Sequence, residues 1–366
     1  MLEACDAVKK LHAYRPPLAG RTGLRLDFNE NTIGCSPRVL AGLQSLDAES
    51  LARYPEREPM EKLVARFLGL DPAQVLLTNG VDEAIHLLCS TYLDPGDEAL
   101  IVVPTFAMYA IFALAEGARV IEVLAGENFA FPTQQLLAQV SPRTRLIAVA
   151  NPNNPTGAAV AGNVLIQIAQ AAPQAAVLVD EAYFEFHGET LIERTKQIPN
   201  LFVARTFSKA YGLAGLRIGI LAGDARQMAM VRRVASPYSV NVAALAVLPA
   251  AIFDQEYVGR YVAEVRRNRE RLQLELGGLA LHYWPSHANF VLVRIGLGHA
   301  EFVRGLRDRG ILVRDRHFDP GCEGCVRLTV GTDEHTQTLI LAVRDVISQI
   351  GLRAGLRRPF PTEVRS

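Results

Sequence analysis

Lysine is scarce in this chain. Only five occur, at positions 9, 10, 62, 196 and 209, which leaves 33 of the 38 basic residues as arginine. Net charge is absent as well: 38 acidic residues balance the 38 basic ones, so no overall field draws the protein to nucleic acid or an anionic membrane. No apolar run is long enough to span a bilayer. The longest, Val240 to Phe253, is broken by Asn241 and Pro249. The opening Met1-Leu2-Glu3-Ala4-Cys5 lacks the apolar core of a secretory signal. Five cysteines, at 5, 35, 89, 322 and 325, cannot all pair and fit a reducing compartment. Cys322-Glu323-Gly324-Cys325 is a lone CxxC, open to zinc or redox use but also to being a loop with two incidental thiols. No repeat or low-complexity segment stands out. A soluble cytoplasmic protein is expected, with no nucleic-acid partner and no membrane.

What is present is an alternation of strands and helices. At 366 residues, 49% apolar and 21% charged, the chain can bury a substantial core in two domains. Residues 1–36, with Pro16, Pro17 and the polar Asn29-Glu30-Asn31, read as an irregular arm with a short extended piece and no helix. Taken alone, Asn29–Asn31 is turn chemistry. Ser36 as cap and Pro37 in the first turn start a helix to about Leu46, and another lies around Pro59–Leu68 after the loop Arg53-Tyr54-Pro55-Glu56. The strand Val75–Leu77 leads into a turn, Thr78–Glu83, and a helix, Ala84–Tyr92. A glycine turn opening a helix offers free N–H groups to a phosphate, although an ordinary strand-to-helix turn looks the same. Four more apolar runs, Ala99–Val103, Leu146–Ala150, Ala176–Val179 and Leu201–Ala204, imply a largely parallel sheet covered on both faces. Helices from Asp224 to about Ala235 and over Ala243–Phe253 complete a large domain, residues 37–253. The amphipathic helix Gln255–Leu276 bridges to a smaller α+β domain formed by residues 1–36 and 254–366. Its strands are Leu279–Trp284, Asn289–Val293, Ile311–Val313 and Val326–Val330; its helices are Phe302–Arg309 and the Thr332-capped Asp333–Ile350. Gly351–Ser366 reads as a frayed tail.

Ligands of such sheets bind past the carboxyl ends of the strands. There the runs give way to Pro104–Tyr109, Asn151–Gly157, Asp180–Tyr183 and Ser208-Lys209, so that an aromatic, an amide, a carboxylate and a lysine converge. Lys209 alone among the lysines has apolar flanks, and it stands beside Thr206 and Ser208. A lysine that gives up hydration has a lowered pKa, as Schiff-base chemistry requires. Arg217 supplies a fork suited to phosphate, and Gly212, Gly215 and Gly219 let the backbone close around a ligand. On its own this stretch is also a strand with a glycine-rich loop and a surface lysine. With hydroxyls before the lysine, glycines after it and arginine at this spacing, Thr206–Gly219 resembles the lysine segment of pyridoxal-phosphate aminotransferases of fold type I.

That resemblance implies an α/β fold, a large domain with a mostly parallel sheet flanked by helices, plus a smaller α+β domain. It places Lys209, Asp180 and Tyr183 in catalysis. A carboxylate at a buried strand end is costly without a cation, so Asp180 suits the cofactor's protonated ring nitrogen. Asn154 and Tyr183 donate to the ring oxygen, and Tyr109 stacks on the ring. Thr206, Ser208 and Arg217, with the N–H groups of Gly80, Val81 and Asp82, cup the phosphate. Singly, Asp180 is a cap or turn residue and the tyrosines are core or rim aromatics. Asn29–Asn31, Arg53–Glu56, Asn79–Glu83, Ala288-Asn289-Phe290, Ile311–Asp315 and Val326–Thr332 join the segments above in being similar to the histidinol-phosphate aminotransferases. The family implies a homodimer acting on histidinol phosphate and glutamate or 2-oxoglutarate in histidine biosynthesis. It implies Tyr54 reaching the neighbouring subunit's cofactor phosphate, and Arg327, Arg314, Asn29 and Tyr14 on the substrate. Surface ion pairs are the plainer reading of both arginines. Val81 replaces a usual small residue, which leaves backbone donation intact. Thr32-Ile33-Gly34-Cys35 departs from a proline-rich form, which leaves substrate fit open. Threonine-phosphate decarboxylases and aromatic-amino-acid aminotransferases share these motifs and are the alternatives.

Overall fold

Seven strands form one sheet in the computed structural model, which describes residues 2–9, 11, 13–14 and 16–351. Their spatial order is Val75–Thr78, Gly219–Ala222, Leu201–Thr206, Ala176–Asp180, Thr144–Ala150, Glu98–Val103 and Arg119–Leu124. All but Gly219–Ala222 run parallel. Adjacent residues of the central strands enter different apolar clusters. Leu100, Ile147, Val177 and Val203 pack on one face with the helix Gly162–Ala171, and Ile101, Leu146, Leu178 and Ala204 on the other with the helix Gly80–Tyr92. Side chains alternate along a strand, so helices on both faces demand the unbroken apolar runs seen in the sequence.

Two strands of this sheet lay outside the sequence reading. Arg119–Leu124 is an edge strand with Arg119 and Leu124 exposed, and it therefore carries no continuous apolar run. Gly219–Ala222 is apolar throughout, but the glycines before it dominate its sequence signal. The Gly80–Tyr92 helix starts four residues before the expected Ala84, because Gly80, at φ +74°, completes the turn by itself. The helix after Asp224 stops at Val231 rather than near Ala235. The arm, expected to be free of helix, holds one turn, Asp6–Lys9. Of the tail expected to fray, residues 352–366 lie outside the described residues.

A second, antiparallel sheet runs Arg314–Asp315, Cys325–Thr329, Phe290–Arg294, His282–Tyr283. The helices Gln255–Gly278 and Asp333–Gln349 pack against each other beside it, the latter capped by Thr332 as expected. The arm joins this region: Leu24–Arg25 pairs in parallel with Ile311–Leu312, and the Leu26 carbonyl accepts from the Thr329 N–H (3.0 Å). That tie carries Asp27–Asn31 to the rim of the large sheet. Cys322 and Cys325 are buried free thiols beside Trp284 and Leu292. Among the described residues, no single helix is long and apolar enough to cross a membrane.

Candidate active site

A cleft of about 250 Å³ opens beyond the carboxyl ends of the parallel strands. Its walls come from the loops after Glu98–Val103, Thr144–Ala150, Ala176–Asp180 and Leu201–Thr206, where the direction of strand succession reverses. Phe106, Tyr109, Asn154, Asp180, Tyr183 and Lys209 all line it. The loop carrying Asn154 is fixed at its base: Asn151 exchanges two hydrogen bonds with the Val160 backbone (2.8 and 3.0 Å), and Asn153 Nδ2 donates to the Pro104 carbonyl (2.9 Å).

Lys209 Nζ donates to the Phe28 carbonyl (2.9 Å) and makes no ion pair among the described residues. Burial, and then the charge of Arg327, push its pKa down to about 8. Across the cleft Asp180 is 5% exposed and has no cation beside it among the described residues. Its carboxylate accepts from the Tyr109 hydroxyl (2.6 Å) and the Ala182 N–H (3.0 Å). Burial raises its pKa to about 6 against those two hydrogen bonds. Tyr109, expected on the face of a ring, is fully buried with its hydroxyl committed to Asp180.

Tyr183 is also buried, and its hydroxyl oxygen accepts from Asn29 Nδ2 (2.9 Å), which leaves the phenolic hydrogen free to donate. Asn29 is 1% exposed and far from a simple turn residue. Thr329 Oγ1 accepts from its backbone N–H (3.1 Å), and its carbonyl accepts from Asn289 Nδ2 (3.1 Å), so this one residue links arm, second sheet and cleft. Arg327 is buried too. Its Nη1 donates to Asn154 Oδ1 and its Nη2 to the Asp27 carbonyl (2.6 Å), whereas Nε has no partner. With Oδ1 so engaged, the Asn154 amide presents its N–H groups elsewhere, as a donor role requires. No carboxylate pairs with Arg327 among the described residues, so the plain ion-pair reading does not hold for it.

At the other end of the cleft, the helix Gly80–Tyr92 starts with no side chain capping its first N–H groups. Arg217 lies over this turn, itself at φ +51°, with Nη2 3.0 Å from Asp82 Oδ2. A Cβ on Gly80 would stand 2.6 Å from that Nη2, so glycine is required for the approach. Thr206 and Ser208 are buried on the same wall, and Val81 is 8% exposed.

Two expected residues lie away from the cleft. Tyr54 is 78% exposed and stacks on Tyr238 (ring centroids 4.4 Å apart). Tyr14 is exposed on the arm. Arg314 does not itself line the cleft but sits over the ring of Phe28, which does (5.4 Å). Conversely, Phe28 and Glu30 line the cleft although nothing in the sequence singled out their chemistry. The signal available was the Leu26–Asn31 run, whose polar residues a turn explains equally well.

The family description "Aminotransferase class I and II" matches residues 21–343. The chain belongs to that family. Within these aminotransferases it is 36% identical over 362 residues to the histidinol-phosphate aminotransferase of Roseiflexus castenholzii, covering 93% of this chain and 96% of that one. The crystal structure of histidinol-phosphate aminotransferase from Sinorhizobium meliloti in complex with pyridoxal-5'-phosphate superposes with a TM-score of 0.87 at 25% identity, covering 96% and 99%. L-threonine-O-3-phosphate decarboxylase from Porphyromonas gingivalis shares the fold, with a TM-score of 0.79 at 23% identity and 89% and 99% coverage. The residues of this cleft fit pyridoxal phosphate. A buried carboxylate with no cation beside it among the described residues shares the cleft with a lysine of lowered pKa, and an uncapped helix start under an arginine shares it with two buried hydroxyls.

Proposed function

We propose that this aminotransferase moves an amino group between L-histidinol phosphate and 2-oxoglutarate, in histidine biosynthesis, as a cytoplasmic homodimer that uses pyridoxal phosphate. Support comes from near-full-length relatives of that name. The observation that carries the substrate reading is Arg327, a buried guanidinium bonded to Asn154 of the cleft wall, with an unpartnered Nε and no carboxylate among the described residues. Such a group is stable where an anionic ligand completes it. Histidinol phosphate offers a phosphate and glutamate a carboxylate, and the donor fork of arginine matches either.

When bound, the cofactor supplies a carbonyl that condenses with amines and a ring that accepts the electrons of a broken bond. The chain's own residues would divide the remaining work. Lys209 Nζ, neutral in part near pH 7, would be the amine that holds the cofactor and would carry a proton to and from the substrate's α-carbon. Asp180, ionised above about pH 6, keeps a proton on the ring nitrogen. Tyr183, held by Asn29, and Asn154, held by Arg327, donate to the ring oxygen. Gly80, Val81 and Asp82 N–H groups, Thr206, Ser208 and Arg217 hold the phosphate. Tyr109 sets the Asp180 carboxylate. Tyr54, exposed on its own chain, reaches the partner's site. Residues 37–253 form the large domain, and residues 1–36 with 254–366 the small one.

The paired assay that tests this reading follows glutamate formation from histidinol phosphate and 2-oxoglutarate beside carbon dioxide release from O-phosphothreonine. Glutamate without carbon dioxide supports the transferase; the reverse makes the protein a decarboxylase. Arg327→Ala is expected to weaken histidinol phosphate and glutamate together by roughly 2–5 kcal/mol and histidinol much less. An equal loss for histidinol would make Arg327 structural.

A further inference from the structure

Arg316 has no part in the roles assigned above. It follows the strand Arg314–Asp315, and its N–H donates to the Cys325 carbonyl (2.9 Å), so the ladder runs one residue further. Arg314 lies opposite Arg327, and Asp315 opposite Val326. Side chains alternate between faces, and opposed residues share one. Arg314, Arg316 and Arg327 therefore stand on the same face of the second sheet, the face from which Arg327 reaches Asn154 in the cleft.

Like charges set directly across a ladder destabilise it. Burial, and then the charges of Arg316 and Arg314, push the Arg327 pKa down to about 10. Carboxylates do not balance the three cations. Asp315 faces His299 Nδ1 (2.9 Å), while Asp27 and Glu30 hold Arg21 (2.7 Å each). Among the described residues only Asp319, three residues on, pairs with Arg316. The Arg316 side chain is 14% exposed, so it is reachable, yet its Nε is buried without a partner, as is that of Arg327.

We propose that Arg316 is a specificity-determining residue which, together with Arg314 and Arg327, receives a phosphomonoester dianion on the substrate, Asp319 holding its guanidinium until then. One carboxylate cannot satisfy three guanidinium groups, whereas a phosphate presents three oxygens and about two charges. The inference rests on the histidinol-phosphate reading of the cleft.

The test uses protein saturated with pyridoxal phosphate, so that the cofactor's own phosphate does not compete. Steady-state constants for histidinol phosphate, histidinol and glutamate are measured beside calorimetric titration with inorganic phosphate. Arg316→Gln is expected to raise KM for histidinol phosphate roughly 10- to 100-fold, the worth of one charge-assisted hydrogen bond. The fall in kcat and the change for histidinol should be far smaller, and Arg316→Lys should recover part of the loss. Asp319→Asn should tighten inorganic phosphate, because it frees the guanidinium. Equal losses for histidinol and its phosphate overturn the proposal, and so does an Asp319→Asn protein that weakens phosphate as Arg316→Gln does, since the two would then form a merely structural pair. Phosphate bound through Arg316 by a protein that does not turn over histidinol phosphate would support the anion site and sink the substrate reading.

Discussion

A lysine with a pKa of about 8 and a carboxylate with one of about 6 both stand close to neutral pH, and burial is the chief cause of each shift. For Lys209 the consequence is kinetic. Covalent capture of pyridoxal phosphate by the cofactor-free protein should accelerate with pH and level off above about 8, where an ordinary lysine would still be gaining. A rate that climbs steadily past pH 10 in stopped-flow absorbance would refute the assignment, as would capture by Lys209→Ala. For Asp180 the consequence is also thermodynamic. Its folded pKa lies above the unfolded value of 3.8, so the folded state holds the proton longer, and stability falls as pH rises from about 4 to about 6. The penalty is complete above that window and amounts to about 3 kcal/mol. Cofactor-free Asp180→Asn should therefore unfold at higher urea than the parent at pH 8 but not at pH 4, while losing orders of magnitude in α-proton removal. Equal midpoints at both pH values, or near-normal single-turnover rates, would count against it.

Among the elements, the helix Gly80–Tyr92 bears most directly on cofactor binding, because its first turn is uncapped and lies under Arg217. Gly80 makes this possible twice over: its φ of +74° suits glycine, and its missing Cβ leaves room for the guanidinium. In Gly80→Ala the methyl group displaces the flexible end of Arg217, and the backbone strain costs about 1 kcal/mol or more. The expected result is a modest loss of thermal stability with a much larger loss of pyridoxal-phosphate affinity. Fluorescence titration showing unchanged affinity would remove Arg217 and this turn from the phosphate cup.

For the molecule as a whole, the proposed homodimer is tested at Tyr54. It is 78% exposed, stacked on an exposed Tyr238, and separated from the cleft of its own chain. If it completes the partner's site, mixing Lys209→Ala subunits with Tyr54→Phe subunits should yield heterodimers in which one site keeps both residues. Activity should then recover to about a quarter of the parent level, from half the molecules being mixed with one good site each. Sedimentation of a fully active monomer would end the shared-site arrangement.

The large sheet was legible because a strand buried on both faces must be apolar at every position, and Leu146–Ala150, Ala176–Val179 and Leu201–Ala204 are. The same reasoning put Lys209 and Asp180 at strand ends, where both stand, and identified caps such as Ser36 and Thr332, whose oxygens need only local backbone. Arg119–Leu124 was not legible, since an edge strand need not be apolar on both faces. Tertiary structure alone decided what Asn29 and Arg316 are. A turn asparagine and one arginine among 33 look like any others in sequence. Pairing of Leu24–Arg25 with Ile311–Leu312 buries Asn29 against Tyr183, and pairing of Arg314 with Arg327 sets three guanidinium groups on one face. Both outcomes depend on contacts between segments about 300 residues or about 13 residues apart. Their partners are fixed by sheet register, which no local pattern encodes.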